Sequence, residues 1–400
     1  MSKIIYLDNA ATTPVRPEVF AVMKKHFSED FGNPGSITKI GVTAKGAVLA
    51  ARKTIADILA ARPKEIIFTG SGTEANNLAI LGVARDLEKK GHKISDLHFI
   101  ATNIEHSSIT ECFKEIERLG GKVDYLPVQN SGLINPKDLR KALKDNTALV
   151  SIGYANGEIG IIQPIREIAK EVRHAKKNNK LAKQDGPVLN GLPYLHTDAS
   201  QAAQYLNLNI NQLGVDLMTI DAQKIYGPKG VGALFVKDGV EVEPIIFGGG
   251  QERGLRSGTE NVAGIAGFAK ALELVGKNKI KESKRVAILR DYFIKKIKQA
   301  IPKAILNGDE IDRLPNNVNI SIPGIDAEFT VLCLDEKGIV CSTRSACVRD
   351  GDGSQVVRVL GGGEEVARSS LRFSLGIYTT KKDLDFAVKK LTDIVKKFCQ

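Results

Sequence analysis

Four hundred residues, 42% of them hydrophobic and 26% charged, with a formal charge of +11, describe an ordinary globular chain large enough for two domains. No apolar run reaches the roughly 18 residues that span a bilayer, and the opening MSKIIYLDNAATTP has no signal-like block, so a cytoplasmic protein without membrane contact is expected. Cys112, Cys333, Cys341, Cys347 and Cys399 form no C-x-x-C pair, which argues against a disulfide framework or a zinc knuckle, and no resident metal is expected. The excess lysines lie in helix-like stretches mixed with glutamate and lack interleaved aromatics. They read as a solvated face that suits acidic partner proteins rather than nucleic acid.

In chain order, residues 17–27 and 40–59 read as helices separated by the loop FGNPGS. Residues 65–69 (EIIFT) are a strand, followed by Gly70-Ser71-Gly72-Thr73 and a helix over 74–87. A strand, a glycine turn and a helix make an anion site, because the first-turn N–H groups and the positive dipole end face the ligand. The spacing is not that of a Walker loop or a dinucleotide fingerprint. Strands over 97–102, 123–128, 148–155, 194–197 and 216–220 alternate with helices reaching 119 and over 136–143 and 165–177. Residues 178–191 read as a loop or surface insertion. This alternation predicts an α/β fold with a mainly parallel sheet, helices on both faces, and ligands beyond the carboxyl ends of the strands. Past about residue 274 a lysine-rich helix, short strands at 317–321 and 370–374, and a closing helix over 381–399 suggest a smaller α+β domain. The expected units are an N-terminal segment (1–15), a large domain (16–274) and a small domain (275–400).

Several residues stand out chemically. Lys224 lies between an apolar strand and a Gly-Pro turn with no charged neighbour beside it, where lost hydration favours a nucleophilic amine able to form a Schiff base. A turn lysine is the plain alternative. Asp198, ending a strand in LHTDASQ, suits a pyridinium N–H or a helix N-cap. His106 suits ring stacking and proton transfer, or a structural role. Gln201 suits a phenolate oxygen or solvent. The glycine-dense GGGQERGLRSGTEN, with Thr259, reads as a second oxyanion cradle. Arg372, inside an apolar strand, needs a substrate carboxylate or a buried ion pair. Cys347, among small residues with Arg344 and Arg349 nearby, reads as an accessible thiolate, whereas Cys112 and Cys333 read as inert thiols.

Together YLDNAATTP, FGNPGS, FTGSGTEANN, Glu105-His106, HTDASQ, KIYGPKG, GGGQERGLRSGT, SAC and LRFSLG run in this order over essentially the whole chain. The set resembles the cysteine desulfurases of the nitrogen-fixation and iron–sulfur-assembly type. The resemblance implies the aspartate-aminotransferase-like fold type I and pyridoxal 5'-phosphate as cofactor. It implies Lys224 as the Schiff-base lysine, Asp198 as the pyridinium partner, His106 as the stacking acid/base and Gln201 at the phenolic oxygen. Gly72, Thr73, Asp221 and Gln223 would line the phosphate, joined by Thr259 from the other subunit of a homodimer. Asn33 and Arg372 would bind the carboxylate of L-cysteine. Cys347 would take the sulfur as a persulfide, release alanine, and pass the sulfur to an acceptor such as an iron–sulfur scaffold or a tRNA-thiolation enzyme. Alternative readings are a selenocysteine lyase or related lyase, and a non-catalytic assembly subunit.

Three segments depart from the family pattern. Asp221 and Gln223 replace its serine and histidine before the lysine, and an aspartate there would repel a phosphate unless it turned away. Gly157 replaces an asparagine in Asn156-Gly157-Glu158-Ile159-Gly160, and the cysteine loop reads CSTRSAC, adding Cys341 and Arg344.

Overall fold

The computed structural model describes residues 4–178, 192–343 and 353–398. The readings placed on residues 179–191, on Arg344, Cys347 and Arg349, and on Cys399 lie outside the described residues.

The strands are β1 (Ile5–Tyr6), β2 (Ile66–Thr69), β3 (His98–Thr102), β4 (Lys122–Leu126), β5 (Thr147–Ser151) and β6 (Tyr194–Asp198), then β7 (Leu217–Asp221), β8 (Gly232–Val236), β9 (Ile305–Leu306), β10 (Asn317–Ser321), β11 (Ile339–Val340) and β12 (Ser370–Ser374). Seven form one sheet in the order β2-β8-β7-β6-β5-β3-β4. Strands β3 to β7 pair in parallel, while β8 runs antiparallel between β2 and β7. Two reversals restore direction, so β2 points the same way as β7. The carboxyl ends of β2, β3, β5, β6 and β7 therefore share one edge, which is the edge that the alternation marks for ligands.

Successive side chains point to opposite faces of this sheet. Ile66, Phe68, Met218, Ile220, Ala233 and Phe235 join one buried apolar layer. Ile67, Leu217 and Leu234 join the other. Because both faces are covered, β3, β5, β7 and β8 are buried along their whole length, as parallel sheets require. The polar residues inside are paired. His196 on β6 bonds Ser151 Oγ through Nδ1 at 2.8 Å and Thr219 Oγ1 through Nε2 at 3.1 Å. Burial pushes its imidazole down to about 4, so the ring crosses three strands as a neutral link.

The helices that matter for the site are α1 (Pro17–Ser28), α2 (Lys39–Leu59), α3 (Gly72–Lys89), α4 (Ser107–Arg118) and, much later, α5 (Val262–Ala300). Helix α5 begins twelve residues before the change of pattern at residue 274 and runs unbroken through it. Its first half, Val262 to Val275, packs into the layer of the large sheet. Its second half, with Val286, Phe293 and Ile297, packs against β10, β12 and the closing helix Lys381–Phe398. A second sheet has the order β12-β10-β9, and β1 pairs with β11 beside it.

Candidate active site

The site is built where the N-terminal segment crosses the carboxyl edge of the large sheet. Leu7 and Asp8 dock on the small sheet, with Ser374 N donating to Leu7 O at 2.6 Å and Asn9 Nδ2 to Ser374 O at 2.8 Å. The chain then passes over the turn after β7. Thr13 Oγ1 donates to Gln223 O at 2.7 Å and accepts from Tyr226 N at 2.7 Å. This places the Ala10 and Ala11 carbonyls above Lys224, whose Nζ donates to them at 3.0 and 2.6 Å. Gln201 Nε2 donates to the same Ala10 oxygen at 2.9 Å. Lys224 ends a single 3₁₀ turn, Ala222–Lys224, and is half-buried rather than on a solvated face.

Asp198 ends β6. Its Oδ1 accepts Ser200 N at 2.9 Å, so it does close the turn that a cap would, while Oδ2 accepts Asn76 Nδ2 at 2.8 Å. The second proton of that amide goes to Ser108 Oγ at 2.8 Å. Ser108 Oγ in turn meets His106 Nδ1 at 2.8 Å. The Ser108 backbone N–H also donates to Nδ1, at 3.2 Å. A backbone N–H can only donate, so Nδ1 is the acceptor and the neutral ring carries its proton on Nε2. The imidazole lies open to the cleft with dense protein around it. Burial lowers its pKa most, Asp198 raises it and Lys224 lowers it. Asp198 and Lys224 thus both lie within electrostatic reach of His106.

Glu105, beside His106, accepts Thr102 Oγ1 at 2.6 Å and Gly153 N at 3.0 Å, and burial pushes its carboxyl up to about 7. Gly157 faces Gln201. A Cβ built there would lie 3.0 Å from Gln201 Nε2 and 3.1 Å from its Cγ, so Gln201 holds space that a larger residue would need.

At the phosphate end, Thr73 is exposed in the first turn of α3, and Thr259 is exposed in its loop. That loop is pinned to α3 by Arg256 Nε on Glu74 Oε1 at 2.9 Å and to α2 by the Arg52–Glu252 pair at 2.6 Å. Asp221 does not turn away. Its Oδ2 accepts Gly72 N at 3.0 Å. A helix N-terminus attracts a nearby carboxylate, which accounts for that contact.

Arg372 is buried, and the ion-pair alternative describes it. Nη2 meets Asp8 Oδ1 at 2.9 Å and Nη1 reaches Gly157 O at 3.3 Å, while Nε has no partner among the described residues. Asn33 is exposed and accepts Gly35 N at 2.9 Å; no hydrogen bond among the described residues joins it to Arg372. Cys112 is buried, with its thiol pushed up to about 12, and Cys341 is buried and shifted in the same direction. Cys333 is half-buried in the helix Ala327–Glu336.

Residues that drew no role in the sequence contribute as much. Asn76 connects Asp198 to the His106 loop, and the Ala10 and Ala11 carbonyls seat Lys224. Asn76 had a usable signal, since it lies one helical turn from Gly72 and so on the same face. The carbonyls had none.

Residues 5–386 match the family described as aminotransferase class-V. The chain belongs to that family. Within it, a cysteine desulfurase IscS of Dictyoglomus turgidum is 44% identical, covering 99% of this chain and 96% of its own. The IscS of Clostridium botulinum is 42% identical over 99% and 95%. A solved structure described as a NifS-like protein superposes with a TM-score of 0.89 at 33% identity, over 99% of this chain and 100% of that one. The chain is a class V aminotransferase of the cysteine desulfurase type, with fold type I and pyridoxal phosphate as cofactor.

The residues present fit that cofactor at its ring end. An amine, a carboxylate and an uncharged imidazole converge on one edge, and the donor set is the one a carbonyl-bearing pyridine requires. At the phosphate end Thr73 and Thr259 offer exposed hydroxyls, but the Gly72 amide is already held by Asp221.

Proposed function

We propose that the chain removes sulfur from L-cysteine, releases L-alanine, and keeps the sulfur as a persulfide on Cys347. The observation that carries this reading is the convergence of Lys224, Asp198 and His106 on one sheet edge, in a chain 44% identical to a cysteine desulfurase over almost its whole length.

Pyridoxal phosphate, when bound, supplies an electron sink for bond changes at the substrate carbons. Lys224 would hold the cofactor through Nζ and, once released from it, would move protons at the substrate carbons. Asp198 would keep the ring nitrogen protonated, and the Asn76 amide holds Asp198 in place. His106 would stack on the ring, with its proton on Nε2. Gln201 would serve the phenolic oxygen. Thr73 and the Thr259 of a second subunit would hold the phosphate, while Gln223 lies beside it with its amide on Asp221. Arg372 and Asn33 bind the substrate carboxylate, with Arg372 Nε the donor that no described residue uses. The Cys347 thiolate attacks the substrate sulfur: an S–S bond forms as the carbon–sulfur bond breaks, and the electron pair left on that carbon takes up a proton. The products are alanine and a cysteine persulfide.

We place the protein in the cytoplasm as a homodimer that hands its sulfur to an acceptor protein, such as an iron–sulfur scaffold or a tRNA-thiolation enzyme. Among the described residues no helix is long and apolar enough to cross a membrane. The test is alanine release from L-cysteine. Wild-type protein with pyridoxal phosphate releases alanine and absorbs in the visible range, and Lys224→Ala loses both. Visible absorbance that persists in Lys224→Ala contradicts the assignment.

A further inference from the structure

The turn that opens α3 is the natural seat for a phosphate, yet its N–H groups are largely spoken for. Gly70 N donates to Glu74 Oε2 at 2.8 Å, and Glu74 N donates to Ser71 Oγ at 3.1 Å. Gly72 N donates to Asp221 Oδ2 at 3.0 Å. Asp221 also accepts Gln223 Nε2 on Oδ2 at 3.2 Å and Gln223 N on Oδ1 at 3.1 Å. All three of its bonds are accepted from N–H donors, which is what an ionised carboxylate does. The residue is 5% exposed and tightly seated: a Cβ built on Gly72 would lie 3.1 Å from Asp221 Oδ2, 3.1 Å from Ser200 Oγ and 3.2 Å from Asp221 Cβ. Among the described residues, the Ser71 amide and the Thr73 amide and hydroxyl are what this turn leaves without a hydrogen bond.

We infer that Asp221 is a resident anion at the cofactor's phosphate seat. It competes with the phosphate for the Gly72 amide and repels it at close range, so the phosphate contributes little to cofactor affinity in this chain. The inference rests on the proposed cofactor chemistry and deepens it. The cofactor is held chiefly through Lys224 and the ring contacts, it exchanges readily, and the chain discriminates weakly between pyridoxal phosphate and pyridoxal. Gln223 does not offset this, because its amide is turned onto the same carboxylate. Two negative groups sharing one helix N-terminus interact unfavourably, and a neutral residue at 221 relieves that.

The experiment is a binding titration, read by visible absorbance of Lys224-linked cofactor and by equilibrium dialysis, with pyridoxal phosphate and pyridoxal as the two probes. It compares wild type, Asp221→Ser and Asp221→Asn, the last keeping the size and the acceptor for Gly72. Wild type is expected to prefer the phosphorylated probe by about tenfold or less. In both variants the pyridoxal affinity stays within about twofold, while the pyridoxal phosphate affinity rises at least tenfold, about 1.4 kcal/mol. An unchanged or weakened pyridoxal phosphate affinity in the variants overturns the inference, and so does an equal gain for both probes. A wild-type preference of a thousandfold overturns it without any variant, should both variants fold poorly. Absence of Lys224-dependent absorbance with either probe refutes the cofactor reading itself, a different outcome.

Discussion

The Asp8 carboxylate and the Arg372 guanidinium meet at 2.9 Å across 364 residues of sequence, in a pair whose side chains are 12% and 3% exposed. The other carboxylate oxygen, Oδ2, accepts Ser342 Oγ at 2.8 Å. The pair fastens the N-terminal segment to the small sheet and so sets where the Ala10 and Ala11 carbonyls lie. Arg372→Ala leaves a buried charge without its partner, a change that costs about 3–5 kcal/mol. Urea denaturation will show that loss, and Asp8→Ala/Arg372→Ala will recover much of it. A single variant as stable as wild type refutes the structural role.

Asn76 spends both amide protons on functional neighbours, Asp198 and Ser108. Asn76→Ala frees Asp198 Oδ2 and lowers stability by about 2 kcal/mol, since a hydrogen bond to a charged group is lost. Alanine release falls about tenfold, with little change in KM for cysteine. Asn76→Asp is worse, because it sets a second carboxylate against Asp198. An Asn76→Asp enzyme with wild-type turnover contradicts this link.

Burial pushes the Glu105 carboxyl up to about 7 from its ordinary value near 4.5. A raised carboxyl pKa means that the folded state holds the proton more tightly than the unfolded chain. Its contribution, about 3 kcal/mol, is therefore fully present below about pH 4.5 and lost as pH rises to about 7. Glu105→Gln mimics the protonated acid and removes this dependence. Urea midpoints measured at pH 5 and pH 8 will diverge between wild type and Glu105→Gln, with the variant gaining relative stability at the higher pH. Parallel pH profiles contradict the shift.

The buried thiols make a simple chemical prediction. Cys112, held up to about 12, carries on the order of a thousandth of the thiolate of an ordinary cysteine at neutral pH, and Cys341 is suppressed in the same direction. Alkylation of the native protein followed by peptide mass spectrometry will leave both unlabelled until the chain is unfolded. Rapid native labelling of Cys112 contradicts its burial.

Much of this architecture was legible because each strand that carries a site residue is an apolar run ended by a polar one. Asp198 and Lys224 were found that way, and β10 and β12 were placed to the residue. Strand β8 went unread: it begins in Gly232 directly after a Gly-Pro turn, and its antiparallel insertion between β2 and β7 has no local signature. The first half of α5 was hidden by Gly264 and Gly267, which weaken the helical pattern and were tolerated because Asn261 and Met23 pack against them. The contacts that seat Lys224 and hold Gly72 span 214 and 149 residues. Such pairings arise only when the sheet assembles, and a string of side-chain types does not encode them. Asp221 could be read as unusual for a phosphate pocket, but not as the partner of Gly72.

The central claim is that an amine at Lys224 and a thiol at Cys347 divide the work of taking sulfur from cysteine. The direct measurement is a single-turnover reaction with L-cysteine, following alanine by chromatography and the site of added sulfur by intact-protein and peptide mass spectrometry. Wild type is expected to release one alanine for each sulfur gained on Cys347, and Cys347→Ser to gain no protein-bound sulfur and to lose turnover. Sulfur carried on another cysteine, or undiminished turnover in Cys347→Ser, would contradict the account.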